Sequence, residues 1–161
     1  MHNHGRTKSE RTRETGMAKK RNGRQEAIKW IVRNKAIRTQ RDLVEELRAE
    51  GFTCTQATAS RDIADMGLRK LPEGIYVLAE DLHLQRMVSE FVTGVECANN
   101  LVVIHTQPGT APGVAAAVDA ADLTEVMGSV AGNDTVLAIG RNNSSAVMMC
   151  DLMNKLRATT R

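Results

Sequence analysis

The chain has 161 residues, which suffices for one average domain or for two small ones. Its net charge of +3 combines two halves of opposite sign: residues 1–80 carry 17 Lys and Arg against 11 Asp and Glu, and residues 81–161 carry 5 against 8. No apolar run reaches the roughly 20 residues that span a bilayer, no apolar signal segment opens the chain, and its three cysteines form no CxxC pair. These features exclude membrane, secreted and zinc-finger proteins, and we expect a cytoplasmic protein without a metal site.

The basic half is suited to a polyanionic partner, since each phosphate that a protein neutralises releases a condensed counterion. Its first segment, residues 1–19, is rich in charged residues and nearly free of large apolar side chains, which predicts a flexible basic arm. Met17 opens a segment that is typical of a natural protein start. We therefore assign no function to residues 1–16.

Residues 20–78 are predicted to form a winged helix-turn-helix domain, in which three helices precede a β-hairpin. Apolar residues recur at helical spacing over residues 24–34, which predicts the first helix. The second helix is marked by a capping signature, formed by Thr39 and Asp42, and by Gly51 as its stop signal. The third helix follows at once and carries the residue types expected of a DNA reader.

This third helix lies between Thr55, a capping residue, and Gly67. Its outward face is polar and begins with small residues, so it can enter the major groove, where every base pair shows its own donor and acceptor pattern. Arg61 is expected to bind guanine bidentately or to clamp a phosphate, and the segments LRKL and IYVL, joined by PEG, predict a wing. A winged helix used for protein contacts is the alternative. The residues assigned to DNA are Gln40, Thr55, Gln56, Thr58, Ser60, Arg61, Arg69 and Lys70.

Residues 79–85 are predicted to be a linker, and residues 86–161 a second domain with the element order ββαββα. We expect its first strand at residues 87–97, its second in the apolar run LVVIH, and its last two on either side of the turn GND. The final helix carries apolar residues at helical spacing, namely Met149, Leu152, Met153 and Leu156. The whole chain is therefore predicted to be α+β, with a winged helix followed by a two-layer domain.

Four segments resemble the bacterial arginine repressors in sequence and in order: TQATASRDIADMGLRKL, GIYVL, VVIHTQPGTA and VMGSVAGNDTVL. The resemblance covers residues 20–157 and implies a repressor of arginine biosynthesis genes that uses L-arginine as co-repressor. In that family the pair matching Ser60 and Arg61 lies on the recognition helix, and C-terminal domains form trimers that pair into hexamers. Arginine binds between subunits where the trimers meet, and the DNA sites are paired palindromic boxes.

The resemblance also implies an effector site, for which the best candidate is Asp134 in the turn that matches the family's GDDT motif. A guanidinium prefers a bidentate carboxylate partner, although without the resemblance an ordinary Asx turn would be favoured here. Two residues depart from the family pattern: Asn133 replaces an aspartate, and Pro112 stands where glutamine or another polar residue is common. The full set assigned to the effector is Pro112, Asp119, Ser129, Ala131, Asn133 and Asp134.

These departures leave two alternatives within the family, because an amide does not attract a guanidinium as a carboxylate does. One is a repressor that responds to a different ligand or to none, and the other is a paralogue that acts through mixed oligomers. A small α+β enzyme is the alternative from another class. The chain has no GxSxG, Walker, GxGxxG or HExxH motif, and His105 ends an apolar strand, as a packed histidine would. We therefore do not predict an enzyme.

Overall fold

A computed structural model describes the backbone of residues 8–158 and the side chains of residues 19–158. The chain separates into two compact units, Met1–Leu78 and Ala79–Arg161. No helix within residues 8–158 combines the length and the apolar character that crossing a membrane requires. The α+β fold class predicted from the sequence is confirmed in both units.

The first unit has the predicted winged helix-turn-helix order. Its core is formed by apolar residues that recur every three or four positions on the first two helices and meet a small residue, Ala59, of the third. Its elements are α1 (Lys8–Asn34), α2 (Gln40–Ala49), α3 (Gln56–Asp65), β1 (Leu68–Lys70) and β2 (Tyr76–Leu78). The two strands pair in antiparallel fashion and form the wing.

Helix α2 begins with the capping box that the sequence predicts. The Thr39 hydroxyl accepts a hydrogen bond from the Asp42 amide (3.0 Å), and the Asp42 carboxylate accepts one from the Thr39 amide (3.0 Å). These bonds to Thr39 hold the pKa of Asp42 below its usual value. Because the folded-state pKa is the lower one, this stabilisation is present above the unfolded-state pKa and is lost as the pH falls through the folded-state pKa.

Helix α1 is longer than predicted, since it begins at Lys8, inside the segment for which the sequence predicts a flexible arm. Residues 1–7 of that segment lie outside the described residues. The segment from Lys8 to Gly23 contains no proline and is rich in Lys, Arg and Glu, which have favourable helix propensity. A helix nucleated by the packed turns at Ile28 and Ile31 can therefore continue towards the N-terminus, which apolar periodicity alone does not reveal.

The second unit is a two-layer α+β domain with helices on one face of an antiparallel sheet. The sheet order is β3-β4-β6-β5, so β3 and β5 are its edge strands. Buried residues of the strands and helices form one apolar core between the two layers. The elements are α4 (Ala79–Phe91), β3 (Val92–Ala98), β4 (Leu101–Thr106), α5 (Ala111–Ala121), β5 (Val126–Ala131), β6 (Thr135–Gly140) and α6 (Asn143–Ala158).

Helix α4 differs from the prediction, which places a linker at residues 79–85 and a strand from Met87 onwards. The structure has one helix over this stretch, and the strand begins only at Val92. The physical reason is a helical spacing that the prediction overlooks, because Leu84, Met87, Val88 and Phe91 recur at i, i+3, i+4 and i+7. All four pack in or against the core of the second unit, to which residues 79–85 therefore belong.

The sheet of the second unit has an open face, on the side away from the core. It carries Leu101, Val103, Val130, Leu137 and Ile139, which share one side because they pair across the strands. Val130 is 64% exposed and Leu101 36%, whereas the strand residues that alternate with these are buried under the helices. This open sheet face is largely apolar, apart from the hydrogen-bonded side chains of Glu96 and His105 (3.1 Å), and no helix of the second unit covers it.

Gly140, at the end of β6, lies in a tight approach to the start of α6. A Cβ atom at this position would meet the Ala146 amide nitrogen at 2.9 Å and the Asn142 carbonyl at 3.1 Å. Both neighbours are backbone atoms, which cannot rotate away. Gly128, on the adjacent strand β5, has no atom within 4 Å of the corresponding point.

We predict that Gly140→Ala lowers the free energy of unfolding by about 1–3 kcal/mol, since the methyl group overpacks the turn into α6. Gly128→Ala is the matched control, and we expect it to change stability by less than about 0.5 kcal/mol. Urea titrations followed by far-UV circular dichroism measure both values. Equal effects of the two substitutions would contradict the close approach at Gly140.

Candidate nucleic-acid interface and ligand pocket

Helix α3 presents the pair Ser60 and Arg61 to solvent. Both residues are exposed, and no residue in the described part of the chain makes a hydrogen bond or ion pair with the Arg61 guanidinium. The neighbouring Asp62 points to the other side of the helix and is only 2% exposed. Helix α3 therefore separates its charges, with the cation outward and the carboxylate inward.

Asp62 is held by a bidentate pair with Arg24 of helix α1. The Asp62 oxygens accept hydrogen bonds from Arg24 Nε (2.5 Å) and Nη2 (3.2 Å), and Gln25 Nε2 donates a third (3.4 Å). The hydrogen bonds to Asp62 raise the pKa of Arg24. Such fork-to-carboxylate geometry fixes both distance and orientation, so this pair sets how α3 is rotated against α1.

A second pair lies one helical turn further along α3, where Arg21 Nη2 donates to Asp65 at 2.6 Å. Both side chains are about half exposed. Together the two arginines of α1 neutralise both carboxylates of α3, which would otherwise repel a phosphate backbone. The sequence reasoning missed these pairs, although one signal was available: Arg24 lies on the apolar stripe of α1 with Ile28 and Ile31, where only a buried anion satisfies it.

Several residues assigned to DNA shape the start of α3 instead of standing free. The Thr55 hydroxyl accepts from the Thr58 amide (3.2 Å), and the two threonine hydroxyls are hydrogen-bonded at 3.0 Å. Gln56 is exposed at the first position of α3, and Gln40 is half-buried at the first position of α2. The threonines thus cap the recognition helix, while Gln56 remains accessible.

Gln56 lines a shallow cleft between α2 and α3 together with four residues of α2, namely Arg41, Val44, Glu45 and Arg48. Arg41 Nε is paired with Glu45 at 3.1 Å, and both side chains are largely exposed. The sequence reasoning did not assign Arg41 or Arg48 to DNA. They place positive charge beside the N-terminus of α3, whose backbone amides also favour an anion.

The wing carries Arg69 and Lys70 on β1, and both are exposed. Lys70 Nζ lies 5.4 Å from the centroid of the Tyr76 ring, which is its cross-strand partner. The wing is also joined to the loop before α2, because Arg38 Nη1 donates to the Glu73 carbonyl at 2.8 Å. The two cations of the wing are therefore displayed on a hairpin whose tip is held to the loop before α2.

In the second unit, the structure brings together two of the residues assigned to the effector. The Ser129 hydroxyl donates to the Asp119 carboxylate at 2.8 Å, which joins helix α5 to strand β5. They lie in a groove between these elements, which we call the α5–β5 groove and which is also lined by Val118, Asp122, Leu123, Val126, Met127 and Gly128. Asp122 and Met127 were not assigned from the sequence. A groove with two carboxylates beside apolar walls suits a cationic ligand that has an aliphatic stem.

The other assigned residues lie towards the start of α5. The Asn133 carbonyl accepts from the amides of Gly109 (3.0 Å) and Ala111 (3.3 Å), so the β5–β6 turn adjoins the helix start where Pro112 follows. The side chains of Asn133 and Asp134 are exposed, and Asp134 accepts a hydrogen bond from the Thr135 hydroxyl (3.2 Å). This local geometry fits both an ordinary turn and a ligand contact.

Pro112 and Asp119 are seven residues apart on α5, which is two turns or about 10 Å, and they share one side of the helix. Ala131, at the end of β5, is half-buried and packs against the core. The six assigned residues therefore form two groups along the same helix and edge strand, one in the α5–β5 groove and one at its end. One chain alone does not bring them to a single point.

Comparisons with known proteins agree with this division of the chain. Residues 19–84 match the family model described as arginine repressor, DNA binding domain, and residues 88–155 match that described as arginine repressor, C-terminal domain. An arginine repressor of Thermus thermophilus is 42% identical over 139 residues, which covers 80% of this chain and 85% of the relative. An arginine repressor of Carboxydothermus hydrogenoformans is 41% identical over 130 residues, which covers 74% and 87%.

We predict that Asp62→Ala lowers the free energy of unfolding of the first unit by about 2–4 kcal/mol, because it leaves the Arg24 charge unpaired at a site that is largely closed to water. The matched control is Asp65→Ala, which removes an exposed pair and should cost at most about 1 kcal/mol. The fluorescence of Trp30 on α1, the only tryptophan in the sequence, reports unfolding of this unit during a urea titration. A smaller loss for Asp62→Ala than for Asp65→Ala would contradict the role given to the buried pair.

Proposed function

Since the chain belongs to the arginine repressor family, we propose that it represses transcription of arginine biosynthesis genes by binding operator DNA through α3, with L-arginine as co-repressor. It is a DNA-binding regulator, and we infer that it acts in the cytoplasm. The operator is proposed to contain paired palindromic boxes. The observation that carries the proposal is the separation of charge on α3, where Arg61 faces solvent without a partner in the described part of the chain, while both carboxylates are neutralised from α1.

In this proposal Ser60 and Arg61 contact base edges in the major groove. Arg61 has the planar fork that matches two acceptors of guanine, and Ser60 next to it is small enough for close approach of the helix. Gln56, one turn earlier, is exposed and can reach a base or a backbone oxygen. Direct reading of the DNA sequence is thus concentrated in the first two turns of α3.

Phosphate contacts are proposed to come from elements on either side of α3. Arg69 and Lys70 on the wing supply one group of cations, and Arg41 and Arg48 beside Gln56 supply another. These contacts fix the position of the protein on the duplex without reading its sequence. Gln40, Thr55 and Thr58 support the same surface, the threonines chiefly by capping α3.

L-Arginine is proposed to bind along α5 and β5 of the second unit. Asp119, oriented by the Ser129 hydroxyl, offers a carboxylate in the α5–β5 groove, and Asp134 offers a second one at its end. Asn133 supplies only an amide there, while Pro112 and Ala131 supply apolar surface. Since these groups are separated along one chain, we infer that a neighbouring subunit completes the site.

Assembly is proposed to proceed through trimers that pair into hexamers. The apolar open sheet face supports self-association, because a sheet face carrying exposed Leu101 and Val130 is poorly suited to water. A symmetric assembly also presents several copies of α3, which matches repeated palindromic boxes in the DNA.

The test of DNA reading compares two substitutions of Arg61 on two duplexes. The operator duplex is one selected from random sequence by the wild-type protein, and the control is a shuffled duplex at the same salt concentration. Arg61→Lys keeps the charge and loses the fork, so we expect about a 10-fold to 100-fold loss of operator affinity with little change on the shuffled duplex. Arg61→Ala should weaken both. Unchanged operator affinity in both variants, or no selected sequence at all, would overturn the assignment.

Arg69→Ala tests the phosphate contacts of the wing. We expect its affinity for the operator and for the shuffled duplex to fall by a similar factor, because a phosphate contact carries no sequence information. The slope of log affinity against log salt concentration should decrease by about one unit. A loss confined to the operator would instead assign Arg69 to base reading.

An arginine titration of operator binding tests the effector site. We expect L-arginine to tighten DNA binding and assembly together in the wild type, and Asp134→Asn to remove this response without changing the affinity measured in the absence of arginine. Asp119→Asn tests the α5–β5 groove separately, with L-citrulline, which lacks the cation, as the ligand control. DNA binding that ignores arginine in the wild type would favour a repressor with another effector or none, the alternative that Asn133 raises.

A further inference from the structure

Two of the three cysteines meet in the second unit. Cys97 is on β3 and pairs across the sheet with Val102, which is fully buried, so its side chain lies on the face that the helices cover. Cys150 is on α6, the helix that packs on β3. Both cysteines are free, and the Cys97 thiol is near enough to perturb the Cys150 thiol. Two residues 53 positions apart in sequence are thereby neighbours in the fold.

A second contact shows independently that α6 and β3 are aligned at this point. Arg157 Nη2 donates to the Thr93 carbonyl at 2.8 Å, which places the end of α6 beside the start of β3. Cys150 lies seven residues before Arg157 on α6, a distance of about 10 Å along the helix. Cys97 lies four residues after Thr93 on β3, a distance of about 13 Å along the strand. The helix and the strand therefore run side by side in opposite directions. Cys150 and Cys97 therefore fall opposite each other as a consequence of how the helix lies on the sheet.

We propose that Cys97 and Cys150 form a redox-active dithiol, which a peroxide converts reversibly into an intramolecular disulfide that links α6 to β3. Neither cysteine is among the residues assigned to DNA or to arginine. The assignment rests on the alignment of α6 with β3, which is fixed by Arg157 and Thr93, and on the strand register that turns Cys97 towards α6.

The reaction begins at Cys97, because this thiol is exposed whereas Cys150 is half-buried. The Cys97 thiolate attacks one oxygen of hydrogen peroxide and the O–O bond breaks, which leaves a sulfenic acid on Cys97 and releases hydroxide that is protonated to water. The Cys150 sulfur then attacks the Cys97 sulfur, the S–O bond breaks as the S–S bond forms, and the leaving hydroxide takes the Cys150 proton as a second water. The two sulfurs supply the two electrons that reduce the peroxide.

The surroundings of Cys150 suit the part of the resolving thiol. Burial, followed by the neighbouring Cys97 thiol, raises the pKa of Cys150, which makes its thiolate scarcer and disfavours it as the first target of the peroxide. The Asn154 side-chain amide donates to Cys150 Sγ at 3.7 Å and orients it. Cys54 is buried in the core of the first unit, where burial also raises the pKa of its thiol. It is therefore expected to take no part.

The test treats the folded full-length protein with hydrogen peroxide and then alkylates it under native and under denaturing conditions. We expect the titratable thiols to fall from three to one per chain, the intact mass to fall by two hydrogen atoms, and a proteolytic fragment to link Cys97 with Cys150. Dithiothreitol should restore all three thiols. The oxidised protein should also melt at a higher temperature, since the cross-link restricts the unfolded chain.

Three single substitutions provide the controls. Cys97→Ser and Cys150→Ser should each abolish the linked fragment, and Cys150→Ser should accumulate sulfenic acid on Cys97 that a dimedone probe captures. Cys54→Ser should form the disulfide as the wild type does. Addition of oxygen to Cys97 without a linked fragment in the wild type, or a covalent dimer through Cys97, would overturn the proposal.

Discussion

The DNA-binding unit depends on one interaction, the buried pair between Arg24 of α1 and Asp62 of α3. A charge that is withdrawn from water requires a partner of opposite sign with good geometry, and only a narrow range of positions of α3 on α1 supplies it. Apolar packing through Ala59 alone would tolerate rotation of α3, because a methyl group has no preferred direction. The ion pair removes that freedom, and with Asp62 fixed inward its neighbours Ser60 and Arg61 are directed outward. Asp62, the one polar residue that α3 buries, therefore determines the orientation of this helix.

The second unit depends on a different constraint: its two layers leave one face of the sheet without a covering layer. Three helices cover one face of its sheet, and no helix of this unit covers the apolar residues of the open sheet face. The residues proposed to bind arginine are likewise distributed along α5 and β5 without meeting at a point. In the proposed hexamer, neighbouring subunits cover the open sheet face and complete the arginine site, so ligand binding and assembly involve contacts between the same subunits. That relation gives a physical reason for the effector to change the number of DNA-binding units held together.

Features that depend on neighbours in sequence could be predicted from the sequence. The capping box at Thr39, the cap at Thr55, the hairpin of the wing and the element order ββαββα that follows α4 were predicted from local patterns, and the structure contains them. Contacts between residues that are distant in sequence could not be predicted, since no local pattern links Arg24 to Asp62 or Cys97 to Cys150. Helix α4 was predictable from the helical spacing of Leu84, Met87, Val88 and Phe91, which the prediction overlooked. Asp119, Ser129 and Asp134 were all assigned to the effector from the sequence, but the hydrogen bond between the first two and the absence of Asp134 from the lining of the α5–β5 groove became visible only in three dimensions.

The contact at the tip of the wing has an evolutionary consequence. Arg38 holds the hairpin through the backbone carbonyl of Glu73, and Gly74 provides the left-handed conformation that the turn requires (φ +83°). The side chain at position 73 takes no part in either contact, so the turn survives whatever residue stands there. Substitutions at position 73 can therefore change the charge and size of the exposed tip while the hairpin is kept. Position 74 remains restricted to residues that adopt a left-handed backbone conformation. Related repressors can diverge in what the tip of the wing touches while the scaffold that carries it stays the same.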